Sequence, residues 1–135
     1  MTLTLRILAP DKSVFDGSAD EVILPSTTGQ LGILTGHVSM LTALDSGVLR
    51  LRIGSTWQSI AVSGGFAEVD ANDVTVLVNA AELGRSIDAA AAEKEFEAAQ
   101  QAAAGFEGQP PSTEKVKAQQ ALAQARARLQ ASRAG

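Results

Sequence analysis

His37 is the only histidine in the chain, and Ser39 and Asp45 follow it closely. Serine, histidine and carboxylate are the residue types of a nucleophilic relay, in which the imidazole takes the hydroxyl proton and the acid orients the ring. Nothing in this spacing fixes their mutual geometry, so a contact or hydrogen-bonding role for His37 is expected over catalysis. One imidazole and no cysteine also leave no ligand set for a zinc-type centre. The stretch ending at His37, "TTGQLGILTGH" (27–37), offers a second chemistry through Gly29, Gly32 and Gly36. Glycine-rich loops can cradle phosphate, but here there is no G-x-x-x-x-G-K-[ST] and no basic helix start after the loop. Glycines that permit positive φ or close backbone approach at strand turns are the expected reading. Of Leu31, Ile33 and Leu34 among them, those outside the core would form an apolar docking patch. Ser63-Gly64-Gly65-Phe66 lacks the G-x-S-x-G spacing of a nucleophile elbow and reads as a bend between strands. No catalytic residue, metal site or cofactor is expected.

The elements that must position these residues fall into two parts. Over 1–84 the pattern is short and alternating. "TLTLRI" sets Leu3, Leu5 and Ile7 against Thr2, Thr4 and Arg6, and "LRLRI" sets Leu49, Leu51 and Ile53 against Arg50 and Arg52. "WQSIAV" (57–62) follows a Gly54-Ser55-Thr56 hairpin turn, and "VTVLV" (74–78) follows the turn "DAND" (70–73). Many short strands without intervening helices predict an antiparallel β-sandwich or flattened barrel. Within it, Phe66 and Val76 are assigned to core or partner-facing positions.

Over 85–135 the period becomes helical. Ser86 is the expected N-cap, with Asp88 in the first turn. Ala89, Ala92, Phe96, Ala99, Ala103 and Phe106 trace one face. "GFEGQPPS" breaks the helix, and a second one begins near Ser112 with the stripe Ala118, Leu122, Ala125 and Leu129. The fold class is therefore α+β in two parts, a β-sandwich and a C-terminal α-helical hairpin. Alanine favours helix strongly but buries only a methyl, where leucine adds groups worth about 0.8 kcal/mol each. A tightly packed hairpin and one that docks and undocks are both open on this composition.

Charge divides along the same line. The net charge is −4, which argues against nonspecific nucleic-acid binding. Residues 1–84 carry 4 Lys/Arg against 9 Asp/Glu, residues 85–111 carry 2 against 5, and residues 112–135 carry 5 against 1. The basic residues of the last segment are Lys115, Lys117, Arg126, Arg128 and Arg133. A basic tail on an acidic body suggests an acidic partner surface. Arg126 and Arg128 point about 200° apart on a helix and are expected to meet different surfaces. No leader-like basic start with an apolar run opens the sequence, and no apolar run is long enough to span a bilayer.

"TGQLGILTGH", then "LTAL", "SGGFAEV" and "VTVLV", resemble the ε subunit of F-type ATP synthases, and "PDKSVFDG", "EVILPSTTGQ" and "GGFAEV" are similar to its photosynthetic branch, cyanobacterial or plastid. The resemblance covers essentially the whole chain. It implies a non-catalytic rotor subunit of the central stalk, coupling γ to the c-ring for proton-driven ATP synthesis. The implied site is peripheral, on the cytoplasmic or stromal side of a thylakoid or bacterial membrane, with membrane contact only through the complex. It implies a sandwich (1–84) that docks on γ and the c-ring, and a regulatory hairpin (85–135). Gln30, Gly32 and His37 match the ring-facing loop. The five basic residues would meet acidic segments of the α/β head when the hairpin restrains hydrolysis. The family often has Pro before Gly-His and Ala-Pro after it, whereas Thr35 and Val38-Ser39 stand here. ATP-sensing members carry I/L-D-x-x-R-A; Ile87, Asp88 and Ala92 match, but Ala91 replaces the arginine. Loss of that bidentate phosphate partner predicts weak ATP binding or none. The competing readings are a nucleotide-binding regulatory module whose hairpin clasps ATP, and a hydrolase built on a β-sandwich.

Overall fold

The computed structural model describes residues 2–134, so Met1 and Gly135, the outer ends of the two expected parts, lie outside the described residues. Ten strands come first: β1 (Leu3–Ala9), β2 (Lys12–Ala19), β3 (Glu21–Ser26), β4 (Gly29–Ile33), β5 (Met40–Leu44), β6 (Gly47–Ile53), β7 (Thr56–Val62), β8 (Gly65–Asp70), β9 (Asp73–Val78) and β10 (Ala81–Leu83). A 3₁₀ turn (Gly84–Ser86) leads into α1 (Ala89–Ala104) and α2 (Thr113–Ala134).

The strands share one strongly bent sheet, ordered β10-β7-β6-β3-β5-β8-β9-β1-β2, with β4 paired to β3. Alternation decides which side of each strand is inside. Leu3, Leu5, Ile7, Val22, Leu24, Leu49, Leu51, Ile60, Val74 and Val76 are fully buried in one core that both arms of the sheet enclose. The β6–β7 hairpin closes through Gly54-Ser55, since Ile53 faces Thr56. The β8–β9 hairpin closes through Ala71-Asn72, both at positive φ (49° and 69°), as a two-residue turn with the twist of its strands requires.

One expectation is corrected. The sheet is not wholly antiparallel, because β9 runs parallel to β1, with Leu5 opposite Val74 and Ile7 opposite Val76. Parallel neighbours normally need a long crossover. Here the seven intervening strands make it, and no helix is required.

The helical starts also differ from expectation. Ser86 lies in the 3₁₀ turn, and Asp88 is the N-cap of α1: its Oδ1 accepts from the backbone N–H groups of Ala90 (3.0 Å) and Ala91 (3.2 Å). Its extended backbone (φ −72°, ψ 109°) gives the carboxylate that geometry. Ser112 does open the second helix, accepting from the Lys115 N–H at 3.1 Å.

Along α1, Ala92 is buried, Phe96, Ala99 and Ala103 are half-buried, and Ala89 is exposed; Phe106, also half-buried, lies beyond the helix, which ends at Ala104. On α2 the expected stripe is inward, but a second row, Ala127 and Ala131, is buried as well. The helix needs two apolar rows because it touches both α1 and the outer face of β6 and β7. The hairpin is thus docked, over a small cluster of Ala61, Ile87, Ala92, Ala127, Leu129 and Ala131, separate from the main core.

Candidate functional site

Two surfaces and one junction carry the residues of interest. The first surface is the loop after β4. Leu34 to His37 form a tight turn, with the His37 N–H donating to the Leu34 carbonyl at 3.2 Å. Gly36 takes φ +83°, a conformation that side chains with a Cβ rarely adopt. Asn72 anchors this turn from the β8–β9 hairpin, its Oδ1 accepting from the Gly36 N–H at 2.8 Å. Ser39 Oγ donates to Asp70 Oδ1 at 3.3 Å, so both ends of that hairpin turn hold the loop.

No relay forms here. His37 Nδ1 lies 2.7 Å from the Val38 carbonyl, and Ser39 is committed to Asp70. Gln30 and Gly32 sit two apart on the exposed side of β4, opposite Leu31 and the buried Ile33. Gly32 needs neither positive φ nor close approach, since a Cβ there would meet open space. The expectation that all three glycines serve backbone geometry therefore fails at Gly32. Leu34 and Val38 (74 % exposed) point outward beside this turn, while Ile33 is core.

The second surface lies across the outer side of β5, β8, β9 and β1. Register sets Ala43 opposite Phe66, Phe66 opposite Leu77, and Leu77 opposite Leu8, a continuous apolar row over four strands. Phe66 is 57 % exposed and Leu77 53 %, with Leu41 at 69 % on the same strand as Ala43. Val76, grouped with Phe66 from the sequence, is buried in the core. Leu77 was missed, although a signal exists: in "VTVLV" it stands out of phase with Val74, Val76 and Val78, so the strand is apolar on both faces.

The junction is where the hairpin meets the sheet. Arg128 reaches from α2 to Glu82 on β10, with Nε–Oε1 at 2.9 Å and Nη2–Oε2 at 3.2 Å, and its Nη1 also donates to Glu95 Oε2 on α1. The hydrogen bond to Glu82 raises its pKa above the ordinary arginine value, burial opposes the rise, and the bond to Glu95 adds to it. With a raised pKa, its stabilising contribution is complete below the ordinary arginine value and lost only as pH climbs through the folded one, so the guanidinium stays charged across the neutral range. Arg133 pairs loosely with Glu93 of α1 (3.9 Å), and the Arg126 guanidinium lies 5.9 Å from the Phe96 ring centre. Arg126 and Arg128 therefore both touch α1, at neighbouring residues. The expectation of separate surfaces is corrected, because long side chains wrap back around a helix even when their Cβ atoms diverge. Lys115 Nζ donates to the Gln109 carbonyl at 2.8 Å, and Lys117 has no ion pair among the described residues.

Ile87, Asp88 and Ala92, the residues that match the nucleotide motif, have a local explanation. Asp88 caps the helix, and Ile87 before the cap packs in one cluster with Ala92 of the first turn, the arrangement of a hydrophobic staple. Ala91 is exposed. Among the described residues no group of acidic or imidazole side chains could hold a metal ion, and no helix is long and apolar enough to cross a membrane.

Residues 2–84 match the family described as ATP synthase, Delta/Epsilon chain, beta-sandwich domain, and residues 85–133 match its long alpha-helix domain. The chain is 73 % identical over 133 residues to an ATP synthase epsilon chain of Synechococcus sp. (strain CC9902), covering 98 % of both. It is 65 % identical to that of Prochlorococcus marinus (strain MIT 9313), covering 98 % of this chain and all of the relative. Its fold is similar to a chain in the Euglena gracilis mitochondrial ATP synthase OSCP/F1/c-ring structure (TM-score 0.80, 22 % identity, 97 % of this chain and 81 % of the other). A chain of the Tetrahymena thermophila central stalk and c-ring structure is also similar (TM-score 0.63, 17 % identity, 97 % and 96 %).

Proposed function

The chain belongs to the ATP synthase Delta/Epsilon family, and we propose that it is the epsilon subunit of a photosynthetic F-type ATP synthase, a non-catalytic rotor part that couples γ to the c-ring. The observation that carries this reading is identity of 73 % to a cyanobacterial epsilon chain over 98 % of each sequence. The docking role answers the apolar residues left outside the core. The row Leu8–Leu77–Phe66–Ala43, with Leu41, is the surface assigned to γ, since large apolar groups on a rigid sheet bind by the water they release. The turn with Gln30, Gly32 and His37, flanked by Leu34 and Val38, is assigned to the c-ring. The open space above Gly32 lets a partner backbone approach, and the Asn72 bond orders the turn in place of the missing prolines.

Placement follows from the partners. The subunit attaches to the cytoplasmic or stromal side of the thylakoid or equivalent membrane, through the complex alone. The hairpin is its regulatory part, with Lys115, Lys117, Arg126, Arg128 and Arg133 directed at acidic segments of the α/β head when it leaves the sheet. Ile87, Asp88, Ala91 and Ala92 are not an ATP site in this chain.

The test is capture by purified γ and reconstitution with F1 and c-ring. Phe66→Glu with Leu77→Glu should abolish γ capture and leave the fold intact, both residues being exposed. Retention of full γ affinity by this double variant would refute the assigned surface.

A further inference from the structure

The hairpin rests on the sheet mainly through alanines, Ala127 and Ala131 on α2 with Ala61 beneath them, and among the described residues Leu129 and Ile87 are the large ones buried there. Methyl contacts alone make a shallow well. One polar contact ties all three elements together: Arg128 on α2, Glu82 on β10 and Glu95 on α1. The pairing with Glu82 is a fork-to-fork bond in which two guanidinium nitrogens meet two carboxylate oxygens, a geometry lysine cannot reproduce. The Arg128 side chain is 30 % exposed, so its charges are screened only in part.

We infer that the Glu82–Arg128–Glu95 cluster is the clasp that sets how long the hairpin stays docked, and that docking withholds Arg128 from any acidic partner. The second half rests on the regulatory reading above; the first does not. Glu82 lies on β10, so its two-bond contact is lost when the hairpin leaves the sheet; Glu95 lies on α1, within the hairpin, and its bond is lost only if α2 also parts from α1. An acidic surface then competes with Glu82 for the guanidinium, and the docked hairpin is in this sense self-inhibited. Arg133 with Glu93 joins α2 to α1 only, so it steadies the hairpin without holding it to the sheet, and it is longer and more exposed on both sides.

The test is hydrogen exchange of the full chain, read by mass spectrometry over α2 and over β1–β9. Arg128→Gln, and separately Glu82→Gln with Glu95→Gln, should speed exchange in α2 about 3- to 10-fold, as expected for partly exposed charge pairs in a network. Exchange in β1–β9 should not change. The charge-swapped triple Glu82→Lys, Glu95→Lys, Arg128→Glu should recover part of the protection, and raised salt should reduce the difference between the intact chain and Arg128→Gln. Unchanged α2 exchange in Arg128→Gln, or an equal acceleration across β1–β9, would overturn the clasp. ATP hydrolysis by reconstituted complexes tests the regulatory reading separately. Faster α2 exchange with unaltered hydrolysis supports the clasp while removing the regulatory role.

Discussion

Asn72 and Gly36 are 36 residues apart in sequence and joined by a 2.8 Å hydrogen bond, side-chain oxygen to backbone N–H. The bond makes the β8–β9 turn the support of the loop that carries His37. Asn72 does two jobs, since it also holds φ +69° in a two-residue turn. Asparagine tolerates that conformation better than most residues.

The two jobs can be separated. Asn72→Gly keeps the backbone conformation and removes the bond, and should cost about 1 kcal/mol in chemical denaturation. Asn72→Ala adds the strain of a Cβ at positive φ and should cost about 1 kcal/mol more. In both, exchange of the Gly36 amide should rise well above that of the neighbouring strands. Equal stability of the two variants would show that the bond, not tolerance of positive φ in the turn, is what Asn72 provides.

Much of this arrangement was legible beforehand. Leu3-Leu5-Ile7 and Leu49-Leu51 stand inward as their alternation demands, because period 2 is a local property of a strand. The β1–β9 parallel pair was not legible, since its direction depends on the path of seven strands between them. Ser86 and Asp88 are both good caps, and the choice between them came from a 3₁₀ turn that uses up Ser86. Leu77 shows the general lesson for the site. An apolar residue out of phase with its own strand marks an outer face meant to be covered, and a reading that seeks only the core face passes over it.

Gly84 sets the position of the hairpin. A Cβ there would overlap the Ala131 carbonyl oxygen and lie 2.9 Å from that of Ser59, and both are backbone atoms that cannot turn aside. Gly84→Ala should therefore lift the end of α2 off the sheet, at a cost of about 1–3 kcal/mol to docking. Exchange in residues 125–134 should rise, with the main core unaffected. Unaltered α2 protection in this variant would mean that the turn yields instead of the helix.

The main core takes no residue from beyond β10, and none of its members lies on α1 or α2. Residues 1–84 alone should accordingly fold, melt cooperatively and bind γ. A molten or insoluble fragment would place the sandwich's stability partly in the hairpin. Outward-facing Ala61 and Val48, uncovered in the fragment, are the sites where solubility would first suffer.

ATP should bind the isolated chain weakly or not at all in calorimetry. Asp88 spends its carboxylate on the Ala90 and Ala91 amides, and Ala91 offers no cation. Ala91→Arg restores a guanidinium at an exposed position of the first turn and should raise affinity if the neighbouring groups can complete a pocket. Micromolar binding by the unaltered chain would contradict this account.

The basic residues of α2 should carry whatever restraint the hairpin places on hydrolysis, and the structure divides them by what they do when docked. Arg128 and Arg133 are paired with acids of β10 and α1, Arg126 lies over Phe96, and Lys117 has no ion pair among the described residues. Neutralising Lys115, Lys117, Arg126, Arg128 and Arg133 together therefore has opposing consequences. It loosens docking, which favours extension, and it removes the charges with which an extended helix would hold an acidic head. If restraint comes from the extended helix, the second effect dominates and hydrolysis by the reconstituted complex should rise, with assembly intact if γ docks on the sandwich as proposed. Glu82→Gln with Glu95→Gln isolates the first effect: it frees the hairpin but keeps all five cations, and should lower hydrolysis. High salt should weaken the difference between these two variants, since both act through partly screened charges. The measurement is the hydrolysis rate of complexes with the intact chain, each variant, or residues 1–84. Equal rates in all four would mean that the basic face is only solvated surface.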